Sequence, residues 1–291
     1  MAVLPGLSAQ EQQVLSRYRL LPRRRGVGTH GERLSQSQGM SHEFRDFREY
    51  ADGDDLRHFD WNVLARLGQR VVRTYQDEQE LKVTLVLDAS ASMTSHDPAK
   101  WETARAIAGA LGFVALQGGD ALQSFAIGRG GTVRSLRGYT ATGRLAHWLD
   151  EIPEPSEAHS LRKGCEAVVN QLKGPGITIL ISDGLEPDAE SSLRAFVRRQ
   201  QELWWVQVLS EDELDPGLTG DLELVDVDLG HMRTTTITDE VREGYRSNLS
   251  AHINTLSAAA TRSGGKAMLV KAGATIESLI RDVWRPQRWI G

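Results

Sequence analysis

Two apolar runs decide what this chain can fold into. Val83 to Leu87 (VTLVL) and the run inside GITILISDG (Gly176 to Gly184) are rich in β-branched residues and nearly continuous in apolar character. Runs of that kind are strands buried on both faces, and such strands belong to parallel sheets covered by helices. The segments between them supply the helices. Asp97 and Pro98 read as an N-cap and first helical position, after which Trp101, Ala104, Ala108, Leu111 and Ala115 recur on one helical face. Further strands are expected at Ala121 to Ile127, Thr132 to Leu136, Leu203 to Leu209 and Ala267 to Val270. Helices are expected at Ser8 to Leu20, Gly143 to Ile152, Ser160 to Leu172, Ser191 to Gln201, Asp239 to Arg262 and Ile276 to Trp284. DLELVDVDLGHMRTTTIT reads as a hairpin closed near Leu229 to His231. Strands alternating with helices imply an α/β fold with a mostly parallel central sheet and helices on both faces.

The chain's 291 residues suffice for one large α/β domain with an extension. A net charge of −5 argues against nucleic acid as the main partner. A single cysteine, Cys165, excludes an internal disulfide framework and suits a reducing compartment. No apolar segment approaches the roughly 20 residues that span a bilayer, and MAVLPGLSAQEQQ lacks the basic start and apolar core of a secretory signal. A cytoplasmic protein without a membrane span is expected.

Both buried runs end in the same chemistry. The first breaks into Asp88-x-Ser90-x-Ser92, the second into Ser182-Asp183-Gly184. Ligands of open α/β sheets collect outside the carboxyl ends of the strands. Side by side, these two ends place carboxylates and hydroxyls at one spot, a hard-oxygen set of the type magnesium prefers.

Asp88-Ala-Ser90-Ala-Ser92-Met93 resembles the metal-ion-dependent adhesion site of von Willebrand factor type A domains, whose fold is Rossmann-like. The resemblance implies that Asp88, Ser90, Ser92 and Asp183 hold magnesium or manganese, completed by an acidic side chain of a partner protein. The family's second loop carries a threonine. This chain has SEAHSLRKG there, with Ser160 at the threonine's place, His159 beside it, and Thr140 and Thr142 further off.

A longer pattern, GMSHEFRDFREYADGDDLRHFDWNVLARLG (Gly39 to Gly68) followed by Glu78, is similar to the bacterial family named domain of unknown function fifty-eight. Its members often occur beside AAA+ ATPases of the MoxR type, which implies a role in assembling or activating other protein complexes. The implied organisation is an N-terminal signature extension of irregular and β structure over residues 1–80, packed on a von Willebrand A-like domain over residues 81–291. Within the signature, Arg48, Asp54, Asp55, Arg57, Asp60, Trp61 and Arg66 form either an ion-paired structural wrap or a docking surface.

Several motifs point elsewhere and are set aside. GVGTHG (Gly26 to Gly31) fits G-x-G-x-x-G but lacks the preceding strand and following helix of a dinucleotide site. Arg23 to Arg25 read as a solvated or internally paired basic run. The eight histidines show no zinc spacing, and neither a G-x-S-x-G elbow nor a P-loop occurs. A haloacid dehalogenase-type phosphatase needs an acid two residues after the first aspartate, and Ser90 stands there. The expectation is a non-enzymatic interaction module working with a MoxR-type ATPase. A metal-dependent phosphoester hydrolase and a metal-independent scaffold are the alternatives.

Overall fold

The computed structural model describes residues 3–23, 43–54, 56–76, 81–94, 97–128, 134–218, 220–225, 232–262 and 264–291. The chain divides into two compact units, Met1–Thr29 with Leu81–Gly291, and His30–Glu80.

The first element of the larger unit is α1 (Ala9–Leu15), opened by a reciprocal capping box between Ser8 and Glu11. It is shorter than the helix expected to Leu20, because the chain beyond it pairs with the C-terminus. Arg19 N–H donates to the Gly291 carbonyl and Leu21 N–H to that of Trp289, each at 3.0 Å.

The smaller unit contains β1 (Glu43–Glu49), α2 (Trp61–Leu67) and β2 (Val71–Gln76), with β1 and β2 antiparallel. The residues of β1, EFRDFRE, do not alternate with a period of two. A register shift between Phe44 and Asp46 interrupts the pairing there, and a bulge of that kind breaks the two-residue alternation by which a strand is recognised. Asp60 caps α2, accepting from Asn62 N–H at 2.9 Å and Val63 N–H at 3.1 Å.

The larger unit continues with β3 (Lys82–Asp88), α3 (Pro98–Gln117), β4 (Ala121–Ile127), β5 (Arg134–Arg137), α4 (Thr142–Glu151), α5 (Leu161–Gln171) and β6 (Gly176–Ser182). After these come α6 (Ala189–Arg198), β7 (Gln201–Leu209), α7 (Glu211–Leu214), β8 (Gly220–Val225), β9 (Met232–Ile237), α8 (Asp239–Thr261), β10 (Lys266–Lys271) and α9 (Ile276–Leu279). A π-helical turn, Ile280–Trp284, extends α9. Strands β8 and β9 form the expected antiparallel pair; its tip at Leu229 to His231 lies outside the described residues.

Six strands form one sheet in the order β10-β7-β6-β3-β4-β5, parallel throughout except for β5, which runs antiparallel to β4 at one edge. Period-two alternation divides the core between its two faces. Val83, Leu85 and Leu87 join the apolar cluster that contains α3 and α4, and Val86 joins the one that contains α5, α6 and Leu256 of α8. Ile177, Ile179 and Ile181 oppose Leu180 in the same way, and Trp204 opposes Trp205. Helices therefore cover both faces. Chain order also fixes where a site can form. From β3 the chain runs outward through β4 to β5, then returns to place β6 on the other side of β3. The crevice beyond the carboxyl ends of β3 and β6 is that switch point.

Candidate functional site

Strand β3 delivers Asp88 and β6 delivers Ser182 and Asp183 to the same edge, all at most 4% exposed. Asp88 Oδ1 accepts the Ser90 N–H at 3.0 Å, and its Oδ2 accepts the Ser182 hydroxyl at 2.6 Å. The Ser90 and Ser92 hydroxyls lie 3.0 Å apart. The loop is held from outside by Ala91 N–H to the Glu157 carbonyl at 3.0 Å, and by the Thr94 hydroxyl to the Pro155 carbonyl at 2.7 Å. Gly184 turns the second loop with φ +62°. A Cβ there would stand 2.7 Å from the Trp205 ring, so both conformation and space require glycine.

Asp183 meets a cation supplied by the chain itself. Lys100, on the first turn of α3 and 1% exposed, donates to Asp183 Oδ2 at 2.9 Å, the Ser92 carbonyl at 2.9 Å and Glu213 Oε1 at 2.6 Å. An ammonium has three donors, and all three are used. Asp183 Oδ1 accepts the Leu185 N–H at 3.3 Å. Glu213 belongs to α7, the short helix that follows β7; its other oxygen accepts the Ser210 N–H at 2.8 Å in a capping box. From α8, the Tyr245 hydroxyl donates to the Glu213 carbonyl at 2.6 Å, and Arg246 pairs with Asp215. His252 of α8 lies 2.7 Å from the Gly184 carbonyl.

These contacts set the electrostatics. Burial pushes the Asp88 carboxyl up to about 7, the nearby negative charge of Asp183 adds to the rise, and hydrogen bonds from Ser182 and Ser90 oppose it. Burial alone would lower the Lys100 ammonium, but Asp183 and Glu213 outweigh it and hold it above the ordinary lysine value. Burial raises the Cys165 thiol, with the Asp88 charge adding to the effect, so Cys165 is an apolar core residue rather than a reactive thiol.

Of the five residues expected to ligate a cation, the structure links Asp88, Ser90 and Ser92 directly. Asp183 reaches them through Lys100. Ser160 caps α5 and donates its hydroxyl to Glu186 at 3.4 Å, while Glu186 accepts the Leu161 N–H at 2.5 Å. His159 packs over Gly128 beside Glu157. Thr140 and Thr142 stand at the start of α4, where the Thr142 hydroxyl donates to the Tyr139 carbonyl. The set does not fit a divalent cation. A fixed ammonium 2.9 Å from Asp183 already supplies the positive charge at this spot and would repel a second cation.

In the signature segment Arg48 and Asp54 pair at 2.7 Å, Asp60 caps α2, and Trp61 is 62% exposed. Arg57 and Arg66 are exposed; Asp55 lies outside the described residues, as do Arg24, Arg25 and GVGTHG. Arg23 is internally held, its N–H donating to Glu202 at 2.9 Å.

Lys100 and Glu213 escape a reading by motif. Lys100 had a signal: it lies four residues before Ala104, on the apolar stripe of α3, where a lysine has no solvent to reach. Glu213 had a weaker one, since Ser210-x-x-Glu213 is a capping-box pattern directly after a buried strand.

The family described as "Protein of unknown function DUF58" matches residues 46–255. "Uncharacterized protein Rv1480" of Mycobacterium tuberculosis and "Uncharacterized protein Mb1516" of Mycobacterium bovis are each 30% identical to this chain over 231 residues, covering 77% of it and 72% of their own length. Two solved structures are similar at a TM-score of 0.41. One is the conserved hypothetical protein BatB from Bacteroides thetaiotaomicron, at 14% identity over 72% of this chain and 98% of that one. The other is an aerotolerance-related membrane protein from Bacteroides fragilis, at 13% identity over 72% and 99%. Among the described residues, no helix is long and apolar enough to cross a membrane.

Proposed function

The chain belongs to the family described as "Protein of unknown function DUF58", and within it we propose a non-enzymatic adaptor that docks another protein on the loops at the carboxyl edge of the central sheet. One observation carries this reading: the acids at that edge are closed. Asp88 and Asp183 are at most 4% exposed, and both oxygens of each are engaged by protein donors. A general acid or base must come within hydrogen-bond reach of its substrate, and these groups are turned inward. Two large side chains stand exposed among the charged ones at this edge: Leu185, directly after the Asp183 loop, and Tyr245, which braces Glu213 of α7, each 37% exposed. Large side chains on a fixed scaffold are what protein interfaces use as anchors.

The resemblance to chains found beside MoxR-type AAA+ ATPases names the partner to try first. ATP hydrolysis then belongs to that partner, and this chain supplies the docking surface. The test is surface plasmon resonance of the immobilised chain against the MoxR-type ATPase of the same organism, beside phosphoester turnover assays. The reading predicts saturable binding, weakened at least tenfold by Leu185→Asp, and no turnover. Phosphoester turnover lost in Asp88→Asn would replace the adaptor with a hydrolase.

A further inference from the structure

We propose that Lys100 is the resident cation of this site, a tethered ammonium that stands where a divalent metal ion would otherwise link the strand-end loops. Its three protons go to three separate segments that follow neighbouring strands: the Ser92 carbonyl after β3, Asp183 after β6 and Glu213 of α7 after β7. Joining oxygens from separate segments is the structural work of a bound cation, and here a side chain does it. Lys100 lies on the apolar stripe of α3 with Trp101 and Ala104 beside it, all at most 3% exposed. Burying an ammonium there is costly unless it is fully paired, so packing alone does not account for lysine at this position.

The oxygens around it behave accordingly. Asp183 directs Oδ2 to the ammonium, and the Ser160 hydroxyl turns to Glu186 instead of joining the set. An ammonium cannot dissociate or be chelated, so the three segments stay joined whatever the metal supply. Removing it would leave Asp183 and Glu213 facing each other at an edge that still carries Ser90, Ser92 and Asp88, an oxygen set open to a divalent cation.

The experiment titrates Mn2+ alone into the purified full chain and into Lys100→Met, with binding read by the loss of the free Mn2+ electron paramagnetic resonance signal and melting temperature recorded with and without metal. Wild type is expected to show no saturable site dependent on Asp183 and no rise in melting temperature. Lys100→Met is expected to bind Mn2+ at least tenfold more tightly and to gain melting temperature, with both gains lost in Lys100→Met combined with Asp183→Asn. Saturable binding by wild type that Asp183→Asn abolishes would overturn the proposal. So would a Lys100→Met protein that gains no affinity, or one that stays unfolded in Mn2+.

Discussion

Lys100 and Asp183, 83 residues apart in the chain, meet at 2.9 Å inside the carboxyl edge of the sheet with side chains 2% and 6% exposed. The pair ties the first turn of α3 to the loop after β6, and Glu213 extends it to α7, after β7. At this depth, what matters is the cost of leaving one partner alone.

Lys100→Met is therefore expected to lose about 3–5 kcal/mol of stability in metal-free buffer, the usual cost of breaking a buried pair. Urea unfolding of Lys100→Met, Asp183→Asn and the double variant checks this. The double variant should be less destabilised than the two singles together, and strict additivity would mean that the two groups do not interact.

Asp88 gives a pH dependence of opposite sign to that of an ordinary surface carboxylate. Its folded value, about 7, lies above the unfolded value, so its contribution is fully present below about pH 4 and is lost as pH rises through 7. Asp88→Asn cannot ionise, and it should gain on wild type by about 2–3 kcal/mol between pH 5 and pH 8. Denaturant midpoints at the two pH values decide this; parallel curves would show that Asp88 is solvated.

Lys266 behaves differently from Lys100. It lies 4.2 Å over the Trp204 ring, donates to the Leu21 and Arg288 carbonyls, and burial lowers its value to about 8. The unfolded chain binds the extra proton between about pH 8 and the ordinary lysine value, so this group's contribution to stability rises with pH across that window. The rise should vanish in Lys266→Met, read as the difference between the two proteins' unfolding free energies at pH 7.5 and 10.

Gly184→Ala tests the loop that aims Asp183. The substitution meets positive φ and a Trp205 ring carbon at 2.7 Å, and a loss of about 2–4 kcal/mol is expected from the two together. A thermal melt unchanged from wild type would mean the loop relaxes freely.

The strand-end chemistry was legible because β-branched runs and their polar endings are local in the chain. Val83 to Leu87 and Gly176 to Ser182 became the neighbouring central strands β3 and β6, with Asp88 and Ser182 in direct contact. β1 was not legible, since its bulge erases the alternation on which recognition depends. Neither was the charge balance of the site. Lys100 sits 83 residues from Asp183 and 113 from Glu213, and no spacing rule connects them. The resemblance to a metal-binding loop drew attention to oxygens and away from the lysine that meets them.

The measurement that tests the account most directly is the protonation of Lys100, followed by 15N side-chain nuclear magnetic resonance from pH 8 to 11.5, with the resonance assigned by comparison with Lys100→Arg. The account predicts an ammonium that exchanges its protons slowly and stays charged after the exposed lysines have titrated, because Asp183 and Glu213 outweigh burial. A Lys100 that titrates with the exposed lysines, or below them, would show that it does not hold the strand-end loops together, and the internal-cation account of this site would be wrong.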